Sequence, residues 1–179
     1  MGFRKGYFLP ETGAPDPLTA VVLRRVRFEE VDPLGIVWHG RYPSYLEDGR
    51  AEFGRRFGLS YSMFKREQMA APIVQMQIDY RRPLEFDQLF EVVTTLHWCD
   101  AMKLTFEYEI RLLPESYNPD HSPKNSKLSE VGAAGSEDVI IATASTVQLI
   151  TDSRGTLLLT ESGFVKEFRD RWRRGEFFV

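Results

Sequence analysis

Residues 28 to 57 hold a carboxylate in a tight loop a few residues ahead of a helix start, and that pairing can do chemistry on a carbonyl. Asp32 is followed by Pro33 and then Gly35, so the chain turns sharply beside the acid. Pro43 falls where a first-turn proline belongs and puts the helix start near Gly40 to Tyr42. The free N–H groups of a helix start polarise a carbonyl or hold an oxyanion, while the acid attacks or activates water. An Asp-Pro ahead of a helix also serves as plain turn chemistry or as a cap, so spacing alone leaves both uses open.

The elements that must position these residues follow from periodicity. Tyr42, Leu46, Gly49, Phe53 and Phe57 recur at helical spacing and draw one apolar face on a long amphipathic helix. A first strand is expected over Ala20 to Phe28, with Val22, Val26 and Phe28 among three arginines. A second helical piece is expected over Ser60 to Gln68, closed by Pro72. In the segment from Ile73 to Arg81, Val74, Met76, Ile78 and Tyr80 share one face, and Gln75, Gln77 and Asp79 the other. Leu89 to Trp98 is rich in β-branched and aromatic residues, and Cys99 to Ala101 reads as a hairpin connection. Leu104, Phe106, Tyr108, Ile110 and Leu112 alternate with Thr105, Glu107, Glu109 and Arg111, the cleanest strand signal in the chain.

Residues 114 to 136 break the pattern with Pro, Ser, Asn and Gly and predict a long flexible insertion. A strand resumes over Val139 to Ile150, followed by a turn at Asp152 to Gly155. The segment Glu161 to Arg174 has helical character, with Phe164, Val165 and Phe168 on one side and a basic set that reads as a solvated face. The expected class is α+β, one long helix wrapped by a five- to six-stranded antiparallel sheet. The expected organisation is an N-terminal arm over 1–19, one domain over 20–170 and a C-terminal tail over 171–179.

The chain has 179 residues, enough for one ordinary domain, and its 42% hydrophobic content supports a packed core. A net charge of −3 argues against a nucleic-acid partner. Cys99 is the single cysteine, which excludes an intrachain disulfide and fits a reducing compartment. No apolar run reaches the length of a membrane span, and the basic start Met1 to Gly6 has no apolar run behind it. The expectation is a cytoplasmic protein without a membrane partner. His97 and His121 lack acidic or cysteine neighbours at ligand spacing, so neither a metal nor another cofactor is expected.

Val26 to Tyr42, continuing through Leu46-Glu47-Asp48-Gly49-Arg50 to Leu59, resembles the 4-hydroxybenzoyl-CoA thioesterase family of hotdog-fold acyl-CoA thioesterases. Ile78 to Leu84 with Phe86-Asp87, and Ile141 to Asp152, are similar to two further family segments. Gly49 stands where many members have alanine, and the arm and the 114–136 insertion lengthen the chain beyond the usual form.

The resemblance implies a hotdog fold and hydrolysis of an acyl-CoA or aroyl-CoA thioester. Asp32 would act as nucleophile or general base, and the N–H groups around His39 and Gly40 would polarise the carbonyl. Trp38 and Tyr42 are candidate walls of the acyl pocket, although aromatics at helical spacing also serve as plain core. Glu47 is either a second acid or the salt-bridge partner of Arg50 or Arg41. Arg81 and Arg82, with Lys103 behind them, are candidates for the coenzyme A phosphates. A homodimer or homotetramer is implied, with the site at a subunit interface. Alternatives are an acyl-carrier-protein thioesterase, for which Arg169, Arg171, Arg173 and Arg174 would form the basic patch, or a non-catalytic acyl-CoA-binding module.

Overall fold

The computed structural model describes residues 6–9, 11–114, 117, 139–161 and 163–178. The chain runs through β1 (Leu18–Arg25), single 3-10 turns at Phe28–Glu30 and His39–Arg41, α1 (Tyr42–Phe57) and α2 (Tyr61–Arg66). It continues through β2 (Met69–Ala70), β3 (Ile73–Tyr80), β4 (Leu89–His97), β5 (Lys103–Leu112), β6 (Val139–Leu149), β7 (Thr151–Asp152) and α3 (Gly163–Arg173). Five strands form one antiparallel sheet in the order β1-β4-β5-β6-β3, and β2 pairs separately with β7. Among the described residues no helix is long and apolar enough to cross a membrane.

The alternation along β5 decides which face meets the helix. Leu104, Phe106, Tyr108 and Ile110 are buried, and the register sets Tyr108 between Thr94 and Ala144 on the neighbouring strands. The long helix covers this face with the residues its periodicity singled out: Tyr42, Leu46, Gly49, Phe53 and Phe57 are all buried, joined by Tyr45 and Gly54. Ring contacts tie helix to sheet, Tyr45 to Phe90 at 4.8 Å and Phe53 to Phe106 at 5.2 Å. Burial of each such side chain contributes about 1.5–3 kcal/mol.

The closest approach is at Gly49. A Cβ placed there would stand 2.2 Å from Thr94 Oγ1 and 3.1 Å from Val92 Cγ1, so the helix backbone rests directly on β4. A methyl group at this position would need the Thr94 side chain to move. The helix ends at Gly58, whose φ of +82° is the left-handed cap conformation, and its N–H donates to the Gly54 carbonyl at 2.9 Å.

Several elements differ from the expectation. The first strand is Leu18–Arg25 rather than Ala20 to Phe28. Beyond Arg25, Val26 N–H donates to the Gln88 carbonyl at 3.0 Å, and the Glu30 carboxylate accepts Arg27 N–H at 2.8 Å. The first extends the pairing with β4 by one residue, and the second turns the chain out of the sheet at Arg27 and leaves Phe28 exposed against Phe86. The second helix is shorter than Ser60 to Gln68: Ser60 caps it through Met63 N–H, and Gln68 takes a φ of +53° before β2 starts.

Arg169, expected on a solvated basic face, is buried. Its guanidinium donates to the carbonyls of Cys99 at 2.7 Å, Asp100 at 3.2 Å and Ala101, and pairs with Glu161, so it clamps the β4–β5 connection. Except for Pro114 and Tyr117, the loop expected at 114–136 lies outside the described residues.

Part of the expected arm is tied down. Tyr7 N–H donates to Glu107 Oε1 at 3.1 Å, and its hydroxyl bonds the Asp79 carboxylate and Thr143 Oγ1. Phe8 stacks at 5.7 Å on His97, so residues 6–9 cross the sheet on the face opposite α1.

Gly49→Ala is expected to lower the unfolding free energy by about 1–3 kcal/mol, the usual cost of overpacking. A urea titration checks it, and an unchanged midpoint would contradict the contact with Thr94.

Candidate active site

The segment carrying Asp32 folds as a miniature hairpin because its residues demand it. Val31 bridges Val37, Asp32 N–H donates to the Ile36 carbonyl at 2.9 Å, and Gly35 N–H donates to the Asp32 carbonyl at 2.9 Å. Gly35 supplies the φ of +79° that closes the turn. Asp32 Oδ1 accepts Leu34 N–H at 2.8 Å, the local side-chain bond expected of an aspartate in a turn. Its other oxygen, Oδ2, has no partner among the described residues, and the residue is half-buried. The turn use is thus present, through one oxygen, and the second oxygen is not consumed by it.

Backbone bonds then staple the helix start. Val37 N–H donates to the Leu84 carbonyl at 2.8 Å, Trp38 N–H to Glu30 at 3.0 Å and Arg41 N–H to Trp38 at 2.8 Å. The N–H groups of His39 and Gly40, between these anchors, have no acceptor among the described residues. Pro43 lies in the first turn of α1, as its position predicts. The Tyr80 hydroxyl donates to the His39 carbonyl at 3.0 Å. The Trp38 ring, half exposed, covers Gly40 so closely that a Cβ there would stand 2.3 Å from a ring carbon. The His39 side chain is exposed beside that ring.

The remaining sequence-predicted residues separate. Tyr42 is core, 2% exposed, with its ring edge-on to Tyr80 at 4.9 Å; burial pushes its phenol up to about 12. Glu47 is exposed and lies 3.8 Å from Arg50, the salt-bridge alternative. Arg81 and Arg82 both donate backbone N–H to the Ile141 carbonyl, and their side chains are exposed. They lead through Pro83 into Leu84 and Glu85, which pair with Val37 and Ile36, so they share a corner of the molecule with Asp32. Lys103 does not. It begins β5 opposite Leu149, at the far end of a ten-residue strand, about 30 Å from the end that meets this corner.

Sequence reasoning passed over Tyr80 and Glu30. Tyr80 read as one more apolar member of an alternating strand, and its hydroxyl acquires a role only through where β3 ends relative to α1. Glu30 carried a local signal, an acid three residues after Arg27 that closes the turn onto the Arg27 N–H.

An open cleft of about 1160 Å³ lies elsewhere, between the C-terminal half of α1, α2 and β7. Phe53, Leu59, Phe64 and Phe106 line it, with Glu47 and Arg50 as polar members; Asp32, His39 and Gly40 are not among its walls.

The sequence profile of the thioesterase-like superfamily matches residues 26–160. The chain belongs to the thioesterase-like superfamily. Haemophilus influenzae acyl-CoA thioesterase YbgC is 30% identical over 87 residues, covering 48% of this chain and 64% of that one. The chloroplastic acyl-acyl carrier protein thioesterase ATL2 of Arabidopsis thaliana is 28% identical over 127 residues, 63% of this chain and 68% of that one. The chain spans 54–66% of the length of the bacterial relatives it matches. A 4-hydroxybenzoyl-CoA thioesterase variant, solved with 4-hydroxybenzoyl-CoA, superposes with a TM-score of 0.63 over 84% of this chain and 97% of that one, at 14% identity. The fold is the hotdog fold, as the resemblance implied, and the superfamily member described here places its aspartate loop and helix start at one corner of it.

Tyr42 also links this corner to alkaline stability. Its folded pKa lies above the unfolded value of 10.0, so its contribution is complete below pH 10 and lost as pH rises through about 12. Urea midpoints between pH 8 and 11.5 are expected to fall less steeply in Tyr42→Phe than in the parent protein.

Proposed function

We propose that the chain hydrolyses acyl-CoA or aroyl-CoA thioesters to free acid and CoA. One observation carries the reading: a carboxylate with an unengaged oxygen, Asp32, is held in the same stapled loop as two unpaired N–H groups, those of His39 and Gly40. In this reading those N–H groups receive the thioester oxygen and stabilise the charge it gains as the carbonyl is attacked. Asp32 either attacks directly, giving a mixed anhydride that water then cleaves, or takes a proton from an attacking water. Either route ends with the C–S bond broken, CoA leaving as its thiol and the acyl group as a carboxylic acid. Arg81 and Arg82 face solvent at this corner and would meet the CoA phosphates. The Trp38 ring over Gly40 would form a flat wall for the acyl group.

The reading includes a single domain over residues 20–170, a cytoplasmic setting in which Cys99 stays reduced, and a homodimer as the smallest assembly. Support for the dimer comes from β3, the last strand of the sheet, which exposes Met76 and Tyr80 on the face that elsewhere packs under α1, with Val74 exposed at the register shift beside them. An unpaired edge with such a face favours pairing with a second copy. The acyl-carrier-protein alternative draws support from the likeness to ATL2, but the four arginines offered as its basic patch are partly engaged within the chain. Arg169 is internal, Arg171 and Arg174 pair with Glu176, and Arg173 pairs with Asp170.

Asp32→Asn is expected to cut the release of free thiol from acyl- and aroyl-CoA by about 10²- to 10⁴-fold. Its melting temperature should stay within about 2 °C, because the asparagine oxygen keeps the bond to Leu34 N–H. Full activity in that variant would overturn the assignment, and tight acyl-CoA binding without turnover by the parent would favour a binding module. Val74→Glu is expected to shift the sedimentation coefficient from that of a dimer to that of a monomer.

A further inference from the structure

Tyr80 closes β3, and its hydroxyl donates to the His39 carbonyl oxygen at 3.0 Å. That carbonyl and the Gly40 N–H are the two ends of one peptide group, held planar by amide resonance. A donor on the oxygen draws electron density through the amide and strengthens the N–H as a donor, the usual cooperativity of linked hydrogen bonds. The same oxygen also accepts the Tyr42 N–H, so the tyrosine hydroxyl is a second donor that limits the tilt of the plane from the sheet side. The ring is seated edge-on against buried Tyr42, at 4.9 Å and 86°, so the hydroxyl is held in place by packing as well as by its acceptor. Partial desolvation raises the Tyr80 phenol above its ordinary value, although the residue is half exposed, so it stays a donor through and beyond the neutral range.

We infer that Tyr80 is a positioning residue for thioester hydrolysis, its bond to the His39 carbonyl aiming and polarising the Gly40 N–H that receives the oxyanion. The inference rests on the hydrolysis reading above. Tyr80 neither gains nor loses a proton in the cycle. It acts through a peptide group and touches no reacting atom. A purely structural tyrosine would support the same fold without altering the carbonyl of a bound thioester, and this difference can be measured.

Tyr80→Phe keeps the ring on Tyr42 and removes the hydroxyl. Its kcat for acyl-CoA hydrolysis is expected to fall about tenfold, less than the loss of a direct oxyanion donor, with KM changed by less than about twofold. The second readout is infrared difference spectroscopy of a ¹³C=O-labelled thioester bound to the Asp32→Asn protein, which slows turnover. Its carbonyl stretch should lie below the solution position with Tyr80 present and move back toward it with Tyr80→Phe. If Tyr80→Phe does not fold, 3-fluorotyrosine at position 80 supplies a stronger donor of nearly the same shape. The stretch should then drop further, and no further drop overturns the inference. Equal kcat and equal carbonyl positions in parent and Tyr80→Phe proteins overturn the role of Tyr80 and leave hydrolysis standing. Absence of hydrolysis by the parent protein overturns both.

Discussion

At Gly49 the backbone of α1 lies against Thr94 and Val92 with no side chain between, and the depth of that contact sets where the whole helix can be. The helix is a stiff rod of 16 residues, about 24 Å long, so a displacement at its middle is carried to both ends. Seven residues separate Gly49 from Tyr42, about 10 Å of rise, which makes the position of the helix start a direct consequence of the seating. Tyr45 on Phe90 and Phe53 on Phe106 lock the rotation of the rod on either side of the contact. Thr94 Oγ1 is buried there without a hydrogen-bond partner among the described residues, a local cost that the surrounding aromatic burial offsets.

What the apolar seating does for the helix body, hydrogen bonds do for its approach. The loop carrying Asp32 lies at the surface and has too few large side chains to be held by packing, so it is held through its backbone to three separate segments. Glu30 accepts Trp38 N–H, Leu84 accepts Val37 N–H, and Tyr80 donates to the His39 carbonyl. The first two each satisfy a backbone N–H that would otherwise be left to water, and the third adds a second donor to a carbonyl that already accepts Tyr42 N–H; the His39 and Gly40 N–H groups have no acceptor among the described residues. A site of this kind is defined as much by the satisfied groups around it as by the two it leaves open.

The sequence made the periodic and the local features legible. The helix face from Tyr42 to Phe57 and the alternation of β5 each need only a repeat, and a repeat survives in any packing. Asp32, Pro33, Gly35 and Pro43 were legible because turn and helix-start chemistry acts within a few residues. Features that depend on register were hidden. Arg169 looked like one arginine of a basic helix, and its burial requires that α3 come back over the β4–β5 connection, seventy residues away in sequence. Lys103 looked like a companion of Arg81 until the antiparallel register put it at the far end of the sheet. Tyr80 looked apolar because alternation reports which face a residue is on and says nothing of what its hydroxyl reaches.

The same strand joins the two parts of the molecule that the structure leaves apart. β3 has Tyr80 and the aspartate corner at one end, and Pro72, a wall of the open cleft, just beyond the other. Its eight residues span about 27 Å, too far for one protomer to use both ends on one small acyl group. In the homodimer proposed above, two copies of β3 would run antiparallel about a two-fold axis. The cleft end of each strand would then fall beside the corner of its neighbour. On that geometry the cleft and the carboxylate need not meet within a protomer, and the strand that pairs the subunits also carries the tyrosine that holds the His39–Gly40 peptide. A disturbance of the paired edge would therefore reach the helix start through Tyr80, by its hydroxyl on the His39 carbonyl and its ring on Tyr42.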